Sequence, residues 1–170
     1  YGKGVCTEEN CRRMIESCHT YGVPVVVDPK GTDWTKYAYA DYITPNLKEI
    51  NQVLAEPVHN EDGAVEVAAH YVMNRFNIRN VIVTRSEEGL SLIRDDENVH
   101  IPTKAQEVFD VSGAGDTVIA VFAMGLAGGM NPADSAYMAN LAASVVVAKL
   151  GTYAVSREEL MAVLKGEAEK

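Results

Sequence analysis

An α/β fold with a mainly parallel sheet is what this sequence predicts, and three observations predict it. Two short β-branched runs, VPVVVD at 23–28 and NVIVT at 80–84, are bounded by turn residues, as buried strands are. Segments with helical apolar spacing separate such runs. From Ala114 onward the pattern is helical throughout, and strands alternating with helices point to a parallel sheet.

In chain order, Thr7 can cap a helix running to about Tyr21, with Glu8 and Glu9 in its first turn and Gly22 ending it. A strand over 23–28 follows. Asp41 to Thr44 reads as a second short strand stopped by Pro45, then a helix from Leu47 to about Leu54 ends before Pro57. Asn60 is placed to start a longer helix to about Phe76, with Val65, Ala68, Ala69, Val72 and Met73 on one face. After the strand at 80–84, Gly89–Arg94 and Asn98–Ile101 alternate and flank an acidic turn, an antiparallel hairpin. Three helices complete the chain: 114–127, 132–150 with Pro132 in the first turn, and 157–165 with Ser156 and Glu159 as a capping box.

The 170 residues are enough for one domain with a real core and too few to argue for two. The formal charge of −9, with acids spread along the chain, argues against a nucleic-acid surface and leaves a small anionic ligand open. The most apolar runs, Thr117–Ala127 and Leu141–Leu150, are too short to span a bilayer, so no membrane partner is expected. Cys6, Cys11 and Cys18 are odd in number and lack CxxC spacing, which speaks against a disulfide framework or a zinc site. Core packing of Cys11 and Cys18 and a reduced, cytoplasmic setting are the expectation.

The segment DVSGAGDTV carries the most chemistry. In Gly113-Ala114-Gly115 the backbone is free to take positive φ and come close to a ligand. Successive N–H groups then form an anion-binding concavity at a helix N-terminus, where the dipole adds positive potential. Asp116 sits in that field, which favours its ionised form and poises it to accept a proton from an attacking hydroxyl. An anion cradle, a positioned nucleophile and a metal are the parts of phosphoryl transfer. A Walker A loop is absent, and GxGxxG fails because Val118 holds the last glycine position. The competing structural reading is a favourable first-turn Asp behind a glycine entry that only allows close packing.

This segment resembles the D-x-x-G-A-G-D signature of the ribokinase-like (PfkB) carbohydrate kinases, here Asp110, Gly113, Ala114, Gly115 and Asp116. The family's N-x-x-E motif is matched by Asn46 and Glu49, after Thr44-Pro45. The resemblance implies that Asp116 is the catalytic base, that the backbone of Gly113, Ala114 and Gly115 is the anion hole, and that ATP and Mg²⁺ are the cofactors. It implies that Asn46 and Glu49 help hold Mg²⁺ and the nucleotide phosphates, mostly through water, with Asp28 in the same network. For Asn46 and Glu49 the structural alternative is a capping box; for Asp28 it is a turn-initiating residue before Pro29. Lys30 reads as an exposed turn lysine with phosphate as the sharper option.

Val83–Gly89 resembles the family's strand and glycine turn lining the nucleotide, which makes Thr84, Ser86 and Gly89 nucleotide-site candidates; the family pattern carries glycine where Ser86 stands. Asn140, in the segment resembling the adenine border, is a further candidate, with local helix bonding as its alternative. Asp110 and Ser112, with the Gly151 loop, are the candidates for a monovalent cation, as in some relatives. DPKG, TPNLKE and VTRSEEG are closest to the heptose-7-phosphate kinase branch. That likeness implies transfer of the ATP γ-phosphoryl to the anomeric hydroxyl of D-glycero-β-D-manno-heptose 7-phosphate, for lipopolysaccharide core synthesis. The alternatives are an ATP-binding remnant without catalysis and a related kinase for another sugar or nucleoside.

The resemblance covers nearly the whole chain, yet the sugar contacts and lid that the family carries on its N-terminal side have no counterpart here. The chain is thus expected to be the nucleotide-binding C-terminal half, residues 1–170, of a ribokinase-like three-layer domain truncated at its N-terminal side. An unpaired sheet edge and self-association as a homo-oligomer are expected from that. Weak or no turnover by the chain alone is expected as well, because positioning supplies much of the rate.

Overall fold

Thr7 caps the first helix as its sequence predicts: its Oγ1 accepts the Asn10 N–H at 3.2 Å, and α1 runs Glu8–Thr20. The computed structural model describes residues 3–104 and 108–168. Tyr1 and Gly2 of the leading segment, and Ala105, Gln106 and Glu107 ahead of the GAGD motif, lie outside the described residues. The chain divides into two compact units, Tyr1–Arg85 with Ser91–His100, and Ser86–Leu90 with Ile101–Lys170.

The first unit holds the sheet. Strands β1 (Val26–Val27), β2 (Tyr42–Ile43), β3 (Val81–Thr84), β4 (Leu90–Ile93) and β5 (Asn98–Ile101) lie side by side in chain order. β1 pairs parallel to β2 with Val26 opposite Tyr42, and β2 parallel to β3 with Ile43 opposite Val81. Parallel neighbours need a crossover. Between β2 and β3 it is made by α2 (Leu47–Val53) and α3 (Asp62–Phe76). β4 and β5 are joined by a turn in which the Arg94 N–H donates to the Glu97 carbonyl at 3.0 Å, too tight for anything but an antiparallel hairpin.

Four expectations need correction. The strand expected over 23–28 is only two residues long and half-buried; among the described residues it ends the row of strands, with a strand neighbour on one side only. β4 is buried at all four positions rather than alternating, as befits a strand covered on both faces. α3 begins at Asp62, not at Asn60, because Asn60 is taken by Arg85: its Oδ1 accepts Arg85 Nε at 2.9 Å and its Nδ2 donates to the Arg85 carbonyl at 3.0 Å. The helix from Pro132 stops at Val147, short of Leu150, which is exposed.

The core of this unit is continuous from α1 through the sheet to α3. Val65, Ala68, Ala69, Val72 and Met73 are all buried, as their spacing predicts, against Ile43, Ile50, Val81 and Val83. Trp34 is fully buried there, its ring centroid 5.7 Å from that of Phe76, and its Nε1–H is satisfied by the Gly31 carbonyl at 2.9 Å. Cys11 packs into the same core, as expected; Cys18 is half-buried and Cys6 exposed.

In the second unit α4 (Ala114–Ala127) packs along α5 (Pro132–Val147), with Val118, Val121, Phe122, Ala136, Ala139 and Val146 buried. Gly125 lets the two helices come together: a Cβ there would lie 2.6 Å from Ser135 Oγ and 2.9 Å from its Cβ. Gly125→Ala is expected to destabilise by roughly 1–3 kcal/mol through overpacking, even though alanine favours helix by about 1 kcal/mol. Urea denaturation checks this, and Ser135→Gly in the same chain restores part of the loss.

α6 (Arg157–Ala168) starts on the predicted capping box, with Ser156 N donating to Glu159 Oε2 at 3.0 Å and Glu159 N to Ser156 Oγ at 3.2 Å. The Ser156 backbone bond, then the Tyr153 hydroxyl, hold the Glu159 pKa at about 2, against an ordinary 4.5. A depressed carboxylate stabilises above its unfolded pKa and loses that contribution as pH falls through its folded one. The α6 cap is therefore expected to be intact above pH 4.5 and lost towards pH 2. A carboxyl-carbon NMR titration of Glu159 with a midpoint at the ordinary 4.5 would contradict it.

Candidate functional site

Parallel strands present their C-terminal ends to ligands, and in the first unit those ends carry the predicted metal-site residues. Asp28 follows β1, Asn46 follows β2, and Thr84 closes β3. A parallel bridge joins Asn46 to Thr84, and Thr84 N donates to the Pro45 carbonyl at 3.0 Å. Asn46 and Glu49 form the reciprocal capping box of α2: Asn46 Oδ1 accepts Glu49 N at 2.8 Å, and Glu49 Oε2 accepts Asn46 N at 2.9 Å. The cap leaves Glu49 Oε1 aimed at Lys30, whose ammonium lies 2.7 Å from it and 3.1 Å from Asp28 Oδ1.

Lys30 is thus no solvated turn lysine. Burial opposes its charge, but hydrogen bonds to Glu49 and then Asp28 outweigh burial and raise its pKa. The donor set suits a hard divalent cation in chemistry, since two carboxylate oxygens converge on one cationic position. It does not make a complete cage, as no cluster of three or more His, Cys, Asp or Glu that could hold a metal occurs among the described residues. A cation there would keep most of its water.

Arg85 is the residue whose importance sequence reasoning missed. It is 2% exposed, and its Nη1 reaches Asp62 Oδ1 at 2.6 Å and Ser91 Oγ at 2.9 Å. Ser91 Oγ lies 2.8 Å from His100 Nδ1, and His100 Nε2 lies 2.7 Å from Glu66 Oε1. The Arg85 hydrogen bond is the main cause holding the Asp62 carboxyl below its usual range. This network ties the end of β3 to the start of α3. The only available signal was an arginine directly after a strand of four residues, all but the last buried.

At the opposite end of these strands Asp41 accepts from His19 Nε2, Arg79 Nη1 and Val25 N, each at 2.8 Å. A cavity of about 280 Å³ lined by His19, Gly22, Val23, Pro24, Asp41 and Arg79 lies there, and none of the predicted site residues lines it.

In the second unit Gly113 is the N-cap of α4 with φ +81°, the left-handed value the motif requires. Asp116 is in the first turn and exposed. Ala114 N is engaged by the Val111 carbonyl at 3.2 Å, while Gly115 N and Asp116 N have no acceptor among the described residues, as the first amides of a helix require from a ligand or water. Of the three residues expected to form an anion hole, Gly113, Ala114 and Gly115, Ala114 spends its amide on the entry turn.

The entry turn is held by Asp110. Its Oδ1 accepts Ser112 N at 2.8 Å and its Oδ2 accepts Gly151 N at 3.1 Å. Those bonds, Ser112 first, lower the Asp110 pKa. The three residues suggested for a monovalent cation are therefore brought together, through direct hydrogen bonds. Ser86, where the family pattern carries glycine, takes φ +53°, in the left-handed region that glycine adopts readily. Gly89 has φ +85°. Asn140 is buried, and its Nδ2 donates to the Pro102 carbonyl at 2.9 Å, a long-range tie that neither reading of it anticipated.

The parallel strands with their crossover helices and the glycine-entered helix place the chain in the ribokinase-like class of α/β folds. The chain belongs to the pfkB family of carbohydrate kinases, whose family model matches residues 2–159. It is 47% identical over 169 residues to the bifunctional protein HldE of Trichlorobacter lovleyi, covering 98% of this chain and 34% of that protein. It thus spans about a third of the length of the curated relatives it matches. Among solved structures, ribokinase from Thermotoga maritima superposes with a TM-score of 0.76 at 31% identity, over 89% of this chain and 52% of that one. Arabidopsis thaliana ribokinase, solved with ribose and ATP, superposes with a TM-score of 0.83 at 23% identity, over 94% and 53%. No helix among the described residues is long and apolar enough to cross a membrane.

Proposed function

We propose that this chain carries the nucleotide-handling and proton-accepting groups of an ATP-dependent sugar kinase. The observation that carries this reading is the open start of α4, where the amides of Gly115 and Asp116 have no acceptor among the described residues, beside an exposed carboxylate. Those amides offer hydrogen bonds to charge developing on the transferred group. The Asp116 carboxylate accepts the hydroxyl proton as the sugar oxygen bonds to the γ-phosphorus and the bridge to the β-phosphate breaks, releasing ADP. Magnesium, when bound, neutralises phosphate charge; Glu49 and Asp28 are its proposed holders through water, with Asn46 fixing the Glu49 carboxylate by the cap. The capping and metal readings of Asn46 and Glu49 are compatible on this view.

The proposed acceptor is the anomeric hydroxyl of D-glycero-β-D-manno-heptose 7-phosphate, on the strength of the DPKG, TPNLKE and VTRSEEG segments. Thr84, Ser86 and Gly89 are proposed to border the nucleotide, in a cytoplasmic enzyme. Calorimetric titration with ATP and Mg²⁺ tests the nucleotide site, and single-turnover transfer from labelled ATP with protein in excess tests the chemistry. Transfer at any rate excludes the second reading, an ATP-binding module without catalysis, and absence of binding overturns both.

The chain is further proposed to self-associate through β1, the half-buried terminal strand, because an unpaired strand edge templates pairing. Sedimentation is expected to show dimers or larger species that weaken when Val26 is replaced by proline, which cannot donate to a ladder. A monomer at every concentration refutes it.

A further inference from the structure

We infer that Lys30 is the resident cation of the Asp28–Glu49 pair, and that a divalent cation is held by that pair only once its ammonium has been displaced. The inference rests on the proposed metal role of those two acids. They come from separate elements, the turn after β1 and the first turn of α2, yet one ammonium lies 3.1 Å from the first and 2.7 Å from the second. Glu49 is held in place by the cap, its other oxygen accepting the Asn46 N–H at 2.9 Å.

Lys30 is freer to move than Glu49. Its side chain is 38% exposed on a flexible four-carbon stem. An ammonium and a divalent cation a few ångströms apart repel strongly, so the two do not share the pair. Lys30 has three N–H donors and two are spent on the carboxylates. An arriving phosphate gives the displaced ammonium an anionic partner. Metal alone therefore binds poorly, and metal accompanied by a polyphosphate binds well. Lys30 is a positioning residue in this scheme: it keeps the acids neutralised and apart from free metal until the nucleotide comes.

The test is Mn²⁺ binding to the 170-residue chain without nucleotide, followed by electron paramagnetic resonance of free manganese. Lys30→Met is expected to bind Mn²⁺ roughly tenfold tighter than the wild type, the figure being modest because the site is partly solvated. Lys30→Arg retains a cation and is expected to bind as weakly as the wild type. Glu49→Gln added to Lys30→Met is expected to abolish the gain, which locates the metal. Circular dichroism of each variant excludes unfolding as the cause, and Lys30→Arg carries the comparison if Lys30→Met fails to fold, since tighter binding by it would overturn the inference. Equal or weaker Mn²⁺ binding by Lys30→Met overturns the inference and leaves the kinase reading intact. Manganese binding by no variant, with ATP still bound in calorimetry, overturns the inference together with the metal assignment alone.

Discussion

Asp116→Asn is expected to reduce phosphoryl transfer by roughly 10³-fold, within the range that a positioned general base contributes, while ATP binding changes little. Asparagine preserves the size of the side chain but cannot accept the hydroxyl proton. The amides of Gly115 and Asp116 are backbone groups and survive the substitution, so the phosphate contacts proposed for them survive too. The exposed position of Asp116, outside any described hydrogen bond, makes a folding defect an unconvincing explanation for lost activity. Single-turnover rates with labelled ATP, compared at equal nucleotide occupancy, check the prediction. A variant retaining a tenth of the wild-type rate would remove Asp116 from the chemistry and leave the glycine-entered helix as a scaffold feature.

What was legible in the sequence follows from how local each signal is. α4 is legible from its glycines and apolar run, and it begins and ends where that pattern does. The capping box at Ser156, and the one at Asn46 that stands as the alternative to a metal role, are legible because both partners lie within one helical turn. Interactions across many residues were not legible. Nothing near Asn60 in the sequence says that its cap-forming side chain will serve Arg85, twenty-five positions away. Asn140 similarly reaches back thirty-eight positions to the Pro102 carbonyl. Lys30 is legible as a turn residue but its partner is not, because Glu49 joins it only once β1 and β2 are paired. Ser86 marks a different limit: a serine stands where the family pattern carries glycine, and its left-handed backbone is not legible from the residue itself.

Gly89→Ala is expected to destabilise the chain by roughly 3 kcal/mol or more, combining left-handed strain with forced overlap. The turn from Ser86 to Gly89 closes with the Gly89 N–H donating to the Ser86 carbonyl at 3.0 Å, and Gly89 takes φ +85° to feed the chain into β4. A Cβ on that backbone would run into the Ile101 carbonyl oxygen, 2.5 Å from the Thr103 nitrogen and 2.7 Å from the Pro102 carbonyl carbon. All three are main-chain atoms, so no rotamer change relieves the overlap. At Gly125, by contrast, the nearest obstacle is the Ser135 hydroxyl, which can turn, and the remaining overlap with its Cβ at 2.9 Å is less severe, which is why the expected cost there is smaller. Relief at Gly89 requires the segment after β5 to shift, and that segment carries Pro102, whose carbonyl holds Asn140. Gly89→Ala should therefore also weaken the Asn140 tie, seen as loss of protection of its side-chain amide in hydrogen exchange. A variant that melts with the wild type and keeps that amide protected would show that this turn tolerates a side chain, and that Gly89 serves the nucleotide rather than the fold.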